Sequence, residues 1–171
     1  MPKGKTRPKI EDVIYDVLSG DEQKNALDFV AFLRKNKMSP QWGSTNSWAV
    51  SHKNKRVCFI RLAGTAHYHN LESGSWHINH VNYGRINLTD CAEEYDHYIS
   101  NENLEDLVWN SVRYCAKCSN CKPGNVVMIL GKQFDEMCHS WFVMKNPDGD
   151  ALNFAKKIVI MSKQAIANKI S

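Results

Sequence analysis

The sequence predicts an α+β fold in which an antiparallel meander packs against N- and C-terminal helices, with a metal-bound loop of four cysteines. Three observations support this prediction. Apolar residues recur with helical spacing near both ends of the chain, they alternate with polar residues in the middle, and four cysteines cluster between positions 115 and 138. Helices outside and strands in the middle are typical of a two-layer arrangement.

Two amphipathic helices are predicted at the start of the folded region. The first has apolar residues spaced i, i+3, i+4, i+7 and i+8, namely Ile10, Val13, Ile14, Val17 and Leu18. Gly20 suits the end of this helix, and Asp21 is a candidate cap for the next. The second repeats the pattern with Ala26, Phe29, Val30 and Leu33, and ends in a basic turn before Pro40.

Strands are predicted over residues 46–52, 56–62, 65–70 and 75–81, where β-branched and aromatic residues alternate with polar ones. A polar turn at Lys53, Asn54 and Lys55 joins the first pair, and Ser73 with Gly74 separates the last pair. This spacing indicates an antiparallel meander.

Helical periodicity returns at Leu104, Leu107 and Val108, and its continuation would place Cys115 on the inward side of the last helical turn. Residues 125–130 form an apolar run that predicts a buried strand, followed by a turn at Gly131. Asn146 and Pro147 predict the cap and first turn of a terminal helix. One face of that helix carries Ala151, Phe154, Ala155, Ile158, Val159 and Ser162.

The charge of the chain is concentrated in a short arm. Residues 1–9 contain Lys3, Lys5, Arg7 and Lys9 and no acid, which accounts for the whole net charge of +4. We therefore expect a flexible basic arm over residues 1–9 and a single domain over residues 10–171, with a metal-binding subregion at 113–140. Because the domain is neutral as a whole, the sequence argues against a nucleic-acid partner.

Membrane and export signals are not evident in the sequence. No apolar run reaches the length of a membrane span, and the charged N-terminus is not followed by an apolar core. We therefore expect a cytoplasmic protein without a membrane partner. In that compartment, clustered cysteines indicate metal ligands or redox groups rather than disulfides.

The cysteine pattern is Cys115-x2-Cys118-x2-Cys121, then sixteen residues, then Cys138. Four thiolates form closed tetrahedral zinc sites, and Lys122-Pro123-Gly124 suits a tight ligand turn. Zinc is the predicted metal. An iron–sulfur cluster is the alternative, although its fourth ligand usually follows closely or comes from a second matching run. His139 could replace one thiolate. Cys58 and Cys91 are predicted to be bystanders.

Histidines and tryptophans are concentrated around the predicted meander. The candidate ligand-binding residues are Trp48, Arg61, His67, His69, Trp76 and His77. The competing interpretation is that the tryptophans pack in the core and the histidines make ordinary hydrogen bonds. No nucleophile, phosphate loop or acid cluster completes a catalytic constellation. The sequence thus favours a non-enzymatic domain that binds a small molecule or protein partner. The alternative is a metal-handling protein or an enzyme that uses a His/Trp pocket.

The order of elements, from the helix that contains Asn25 through Trp48 and the 56–62 strand to the terminal helix, resembles small uncharacterised bacterial proteins of the YdhG-like type. That resemblance implies a compact α+β fold, and some members are linked to iron handling. No functional residue is transferred, since the cysteine block departs from their pattern. Residues 118–124 (Cys-Ser-Asn-Cys-Lys-Pro-Gly) locally resemble the knuckles of zinc-ribbon proteins.

Overall fold

The structure is a computed structural model that describes residues 7–63, 72–80, 97, 100, 104–115 and 125–168, apart from the side chains of residues 80, 125, 127 and 138–142. Its helices are α1 (Ile10–Val17), α2 (Gly20–Lys35), α3 (Glu105–Ser111) and α4 (Gly149–Asn168). Its strands are β1 (Gln41–Ser44), β2 (Ser47–His52), β3 (Lys55–Leu62), β4 (Trp76–His80), β5 (Val112–Tyr114), β6 (Asn125–Ile129) and β7 (Lys132–Lys145).

The described strands form one sheet in the order β1-β2-β3-β4-β7-β5, and β6 also pairs with β7. Every pairing is antiparallel. The predicted meander is wrong at one place, because β3 pairs directly with β4 rather than with a 65–70 strand between them, and β1 was not predicted. Strands β1 to β4 pair in chain order, and helices lie at both ends of the chain. The α+β class and the antiparallel sheet are therefore confirmed. The turn between β2 and β3 has positive φ at both Lys53 and Asn54, which is the geometry of a two-residue hairpin whose twist matches its strands.

One face of the sheet forms the core. Trp48, Ile60, Ile78 and Met144 are aligned by register across β2, β3, β4 and β7, and all are buried. We call this the core face. On it the Trp76 ring lies 6.2 Å from the Phe29 ring of α2. Most residues of the predicted apolar stripes of α1, α2 and α4 belong to the same hydrophobic cluster, as their helical spacing requires. Ala151 and Ser162 of the α4 stripe do not belong to it.

The segment before the cysteines differs from its prediction. The helix expected to extend to Cys115 ends at Ser111, and β5 follows it. Val112 and Tyr114 pair with β7, so tertiary strand pairing overrides the helical periodicity here. The prediction that Cys115 lies on a last helical turn is therefore wrong. The β6 strand is also not fully buried, because Val126 and Met128 are 64% and 60% exposed.

Two predicted helix boundaries also differ. Gly20 is the first residue of α2, with a φ of +59°, rather than the end of α1. Asn146 does not cap α4, which begins at Gly149. Instead its side-chain oxygen accepts a hydrogen bond from the backbone N–H of Trp76 at 2.8 Å, and its own backbone N–H donates to the Trp76 carbonyl at 2.9 Å. Asn146 thereby joins the end of β7 to the start of β4.

Some predicted features lie outside the described residues. These are the 65–70 strand, residues 1–6 of the arm and the 116–124 segment. Among the helices that are described, none combines the length and apolar character that a membrane crossing requires.

Candidate functional site

Strand β7 brings the two flanks of the cysteine segment together at one residue. Met137 pairs with Tyr114 of β5 and also with Asn125 of β6. A strand residue has one neighbour on each edge, so β5 and β6 lie on opposite edges of β7 at this point. The chain between them, residues 115–124, therefore starts and ends at the same level of β7, next to position 138.

The backbone of β7 is irregular at the same place. Glu136 has a φ of +54°, and the register of both β5 and β6 against β7 shifts near it. The N–H of Cys115 donates to the Glu136 carbonyl at 2.6 Å. Irregular strand positions with unusual φ values are frequent beside functional sites, because they redirect the chain at some cost in strain.

The four predicted ligands are described to different extents. Cys115 is half-buried and free of disulfides, and Cys138 lies within β7, although its side chain is not described. Cys118 and Cys121 lie outside the described residues. Within the described part of the chain, no group of three or more His, Cys, Asp or Glu side chains could hold a metal ion. Cys58 is fully buried, and burial raises the pKa of its thiol far above the ordinary value, as suits an inert core residue.

The second face of the sheet is polar at its centre. Two rows cross β2, β3, β4 and β7 by register, and we call them together the polar face. The rows are Ala49, Phe59, Asn79 and Val143, and Ser47, Arg61, His77 and Lys145. Asn79 and His77 are buried. No apolar member of these rows belongs to the hydrophobic cluster formed by the described core residues.

Asn79 is the most unusual residue of the polar face. Its side chain is 1% exposed, and neither its amide nitrogen nor its oxygen has a hydrogen-bond partner among the residues that the structure describes. Leaving a buried amide unpaired costs about 1–3 kcal/mol. Such a group in a native protein calls for an explanation, and a bound ligand or water is one.

Cationic groups surround the aromatic member of the polar face. The guanidinium carbons of Arg56 and Arg61 lie 4.7 and 5.6 Å from the centre of the Phe59 ring. At the β7 edge, Lys145 forms an ion pair with Glu72 at 2.7 Å. The Lys145 hydrogen bond and charge lower the pKa of Glu72, with a smaller contribution from His77. The polar face therefore combines a flat apolar ring, cations and an unpaired amide.

The residues predicted to bind a ligand do not share one surface. Trp48 and Trp76 are buried on the core face, as the packing interpretation expects, whereas Arg61 and His77 are direct cross-strand neighbours on the polar face. His67 and His69 lie outside the described residues. Asn79 and Phe59 were missed, although Asn79 lies two residues from His77 and therefore on the same face of β4.

Comparisons with protein-family models, curated proteins and solved structures give no match to this chain.

Proposed function

We propose that this chain is a zinc-stabilised, non-enzymatic binding domain. Cys115, Cys118, Cys121 and Cys138 hold the metal, and the polar face of the sheet binds a small molecule or a partner group. The observation that carries the proposal is the pairing of Met137 with both Tyr114 and Asn125, since it brings both ends of the cysteine segment beside position 138.

The length of the chain is compatible with a shared ion. Adjacent strands are about 4.8 Å apart, so β5 and β6 are separated by about 10 Å across β7. Cys118 lies three residues after Cys115, and Cys121 lies four residues before Asn125. An extended chain spans up to about 3.6 Å per residue, so both Cys118 and Cys121 can come within reach of position 138. Zinc–sulfur distances are about 2.3 Å, so four thiolates must converge closely.

A metal at this position has a structural role. It would fasten β5, β6 and β7 to one another where the register of both neighbours shifts against β7. A closed four-thiolate site leaves no open coordination position for substrate, which supports a non-enzymatic function. Iron in the same ligands is the alternative outcome of metal analysis.

The polar face supports the binding half of the proposal. The Asn79 amide offers a donor and an acceptor in a buried environment, where each unmade hydrogen bond carries a penalty that a complementary ligand removes. The Phe59 ring provides an apolar surface beside it, since the two residues are direct cross-strand partners. A ligand with an amide-like edge and a flat apolar part matches this surface.

Metal analysis of purified protein tests the cysteine site. We expect about one zinc per chain in the wild type and none in a Cys118→Ser/Cys121→Ser variant. Cys91→Ser is the matched control, because it makes the same chemical change outside the cysteine block and should retain the metal. Unchanged metal content in the double variant would place the metal elsewhere and overturn the assignment. Absence of metal from zinc-supplemented wild-type protein would do the same.

A further inference from the structure

The structure brings nine basic residues of four separate segments to one end of the molecule. The first contact that shows this joins α1 and α2. Arg34, near the C-terminal end of α2, forms an ion pair with Glu11 in the first turn of α1 at 2.7 Å. The two helices are therefore antiparallel, and Arg7 and Lys9, the described part of the basic arm, precede α1 at the end where α2 finishes.

Helix α4 reaches the same end. Lys156 pairs with Asp28 of α2, and the Lys163 ammonium, further along α4, donates to the carbonyl of Asn36 at 3.0 Å just beyond α2. The two helices thus run in the same direction, and the C-terminal part of α4 lies beside the end of α2.

The β2–β3 hairpin completes this end. Helix α4 packs against β3. The charge of its Lys163 acts on His52, which is the last residue of β2. Burial, and then the charges of Lys163 and Lys53, lower the pKa of His52. Four segments therefore meet here: the arm before α1, the end of α2, the β2–β3 hairpin and the C-terminal part of α4. We call their basic residues the basic end, namely Arg7, Lys9, Arg34, Lys35, Lys37, His52, Lys53, Lys55 and Lys163.

Four of these lysines are available to a partner. Lys35, Lys37, Lys53 and Lys55 are exposed, and none forms an ion pair with another residue in the described ranges. The acids of the same segments are Glu11, which pairs with Arg34, and Asp12. Other acids lie at the opposite ends of the two long helices, with Asp21 and Glu22 in the first turn of α2 and Asp150 in that of α4.

The neutral charge of residues 10–171 therefore conceals an uneven distribution. The argument against a nucleic-acid partner rested on the neutral charge of the domain as a whole, whereas the basic end gives the folded domain a local basic surface. We infer that the basic end binds the phosphate backbone of a nucleic acid, with Lys35, Lys37, Lys53 and Lys55 as the principal contacts and the arm as an extension.

Apolar anchors distinguish a nucleic-acid surface from a membrane surface. Peripheral membrane binding by a basic face usually requires exposed large apolar residues within it. The exposed large hydrophobic residues of the described chain are Tyr15, Trp42, Tyr114, Val126 and Met128, and none lies in the segments that form the basic end. Phosphate contacts by lysines need no such anchor.

Fluorescence anisotropy with a short labelled DNA duplex and with a single-stranded RNA tests the inference in the full-length chain. We expect binding at low salt. The logarithm of the association constant should fall linearly with the logarithm of the salt concentration, with a slope of roughly 0.9 for each phosphate neutralised. Lys53→Glu/Lys55→Glu should weaken binding at least about tenfold and lower the salt slope by about two. Lys35→Glu/Lys37→Glu should behave similarly.

The matched control is Lys24→Glu/Lys157→Glu, which makes the same charge change in the N-terminal halves of α2 and α4. It should bind as the wild type does, and circular dichroism confirms that each variant is folded. Equal losses in the control and in the basic-end variants would overturn the inference, as would absent or salt-insensitive binding. Equally tight binding to mixed phosphatidylserine–phosphatidylcholine vesicles would show attraction to any anionic surface and would also overturn it.

Discussion

The backbone N–H of Cys115 donates to the carbonyl of Glu136 at 2.6 Å. Glu136 lies two residues before Cys138 in β7, so this hydrogen bond holds the first cysteine of the cluster near the last. If zinc joins them, its binding energy contributes to folding, because the unfolded chain does not present the four thiolates together. A chelator strong enough to remove zinc should then lower the melting temperature by at least about 5 °C, since 1 kcal/mol corresponds to roughly 2–4 °C at this chain length.

The Cys118→Ser/Cys121→Ser variant provides the control for this melt. Without chelator, this variant should already have the lower melting temperature expected for metal-free wild-type protein, and the chelator should not change it further. Calorimetry with and without chelator makes the measurement. An unchanged wild-type melt, in protein shown beforehand to contain zinc and afterwards to have lost it, would contradict a structural role for the metal.

Replacement of Asn79 by leucine should stabilise the unliganded protein. The substitution removes a buried amide without a described partner and adds apolar volume of similar shape, so we expect a gain of about 1–3 kcal/mol in the free energy of unfolding. Urea denaturation measures it. A loss of stability would mean that the amide is satisfied in solution, and the proposed role of Asn79 in ligand binding would lose its support.

Asn146 should show the opposite behaviour. Asn146→Ala removes the oxygen that accepts from the Trp76 N–H, and it places alanine at a φ of +44° that asparagine tolerates better. We expect a loss of about 1–3 kcal/mol, measured by the same urea denaturation. Asn146→Asp keeps both the acceptor and the tolerance of positive φ, so it should lose much less. Equal losses in the two variants would show that the acceptor is unimportant.

The sequence predicted the parts of the fold in which one residue pattern decides the structure. The apolar stripe of α2 and the β2–β3 hairpin were predictable, because the burial of one face follows directly from the period of the residue pattern. The direct pairing of β3 with β4 was not, since it depends on tertiary contacts. Residues 112–114 were not, since their strand conformation depends on pairing with β7, which is distant in sequence. The burial of Asn79 and its position opposite Phe59 and Val143 likewise depend on register across three strands. The basic end was hidden for a similar reason, because helix directions decide which charges meet.

The titration of His52 tests the arrangement of the basic end. The pKa of His52 is lowered first by burial and then by the charges of Lys163 and Lys53. The folded state therefore binds a proton less readily than the unfolded state, in which the pKa of His52 has its ordinary value of 6.5. The associated stability is present above pH 6.5 and is lost as the pH falls through the lower pKa of the folded state. NMR titration of the His52 ring measures this pKa directly.

Lys53→Gln and Lys163→Met should each raise the pKa of His52, because each removes a nearby positive charge. The value should stay below 6.5 in both, since burial is the larger cause. Added salt should raise it in the wild type by screening the same charges. Lys24→Met, at the other end of α2, should leave it unchanged. A His52 pKa that does not respond to either lysine would place the hairpin and α4 farther apart than the structure has them.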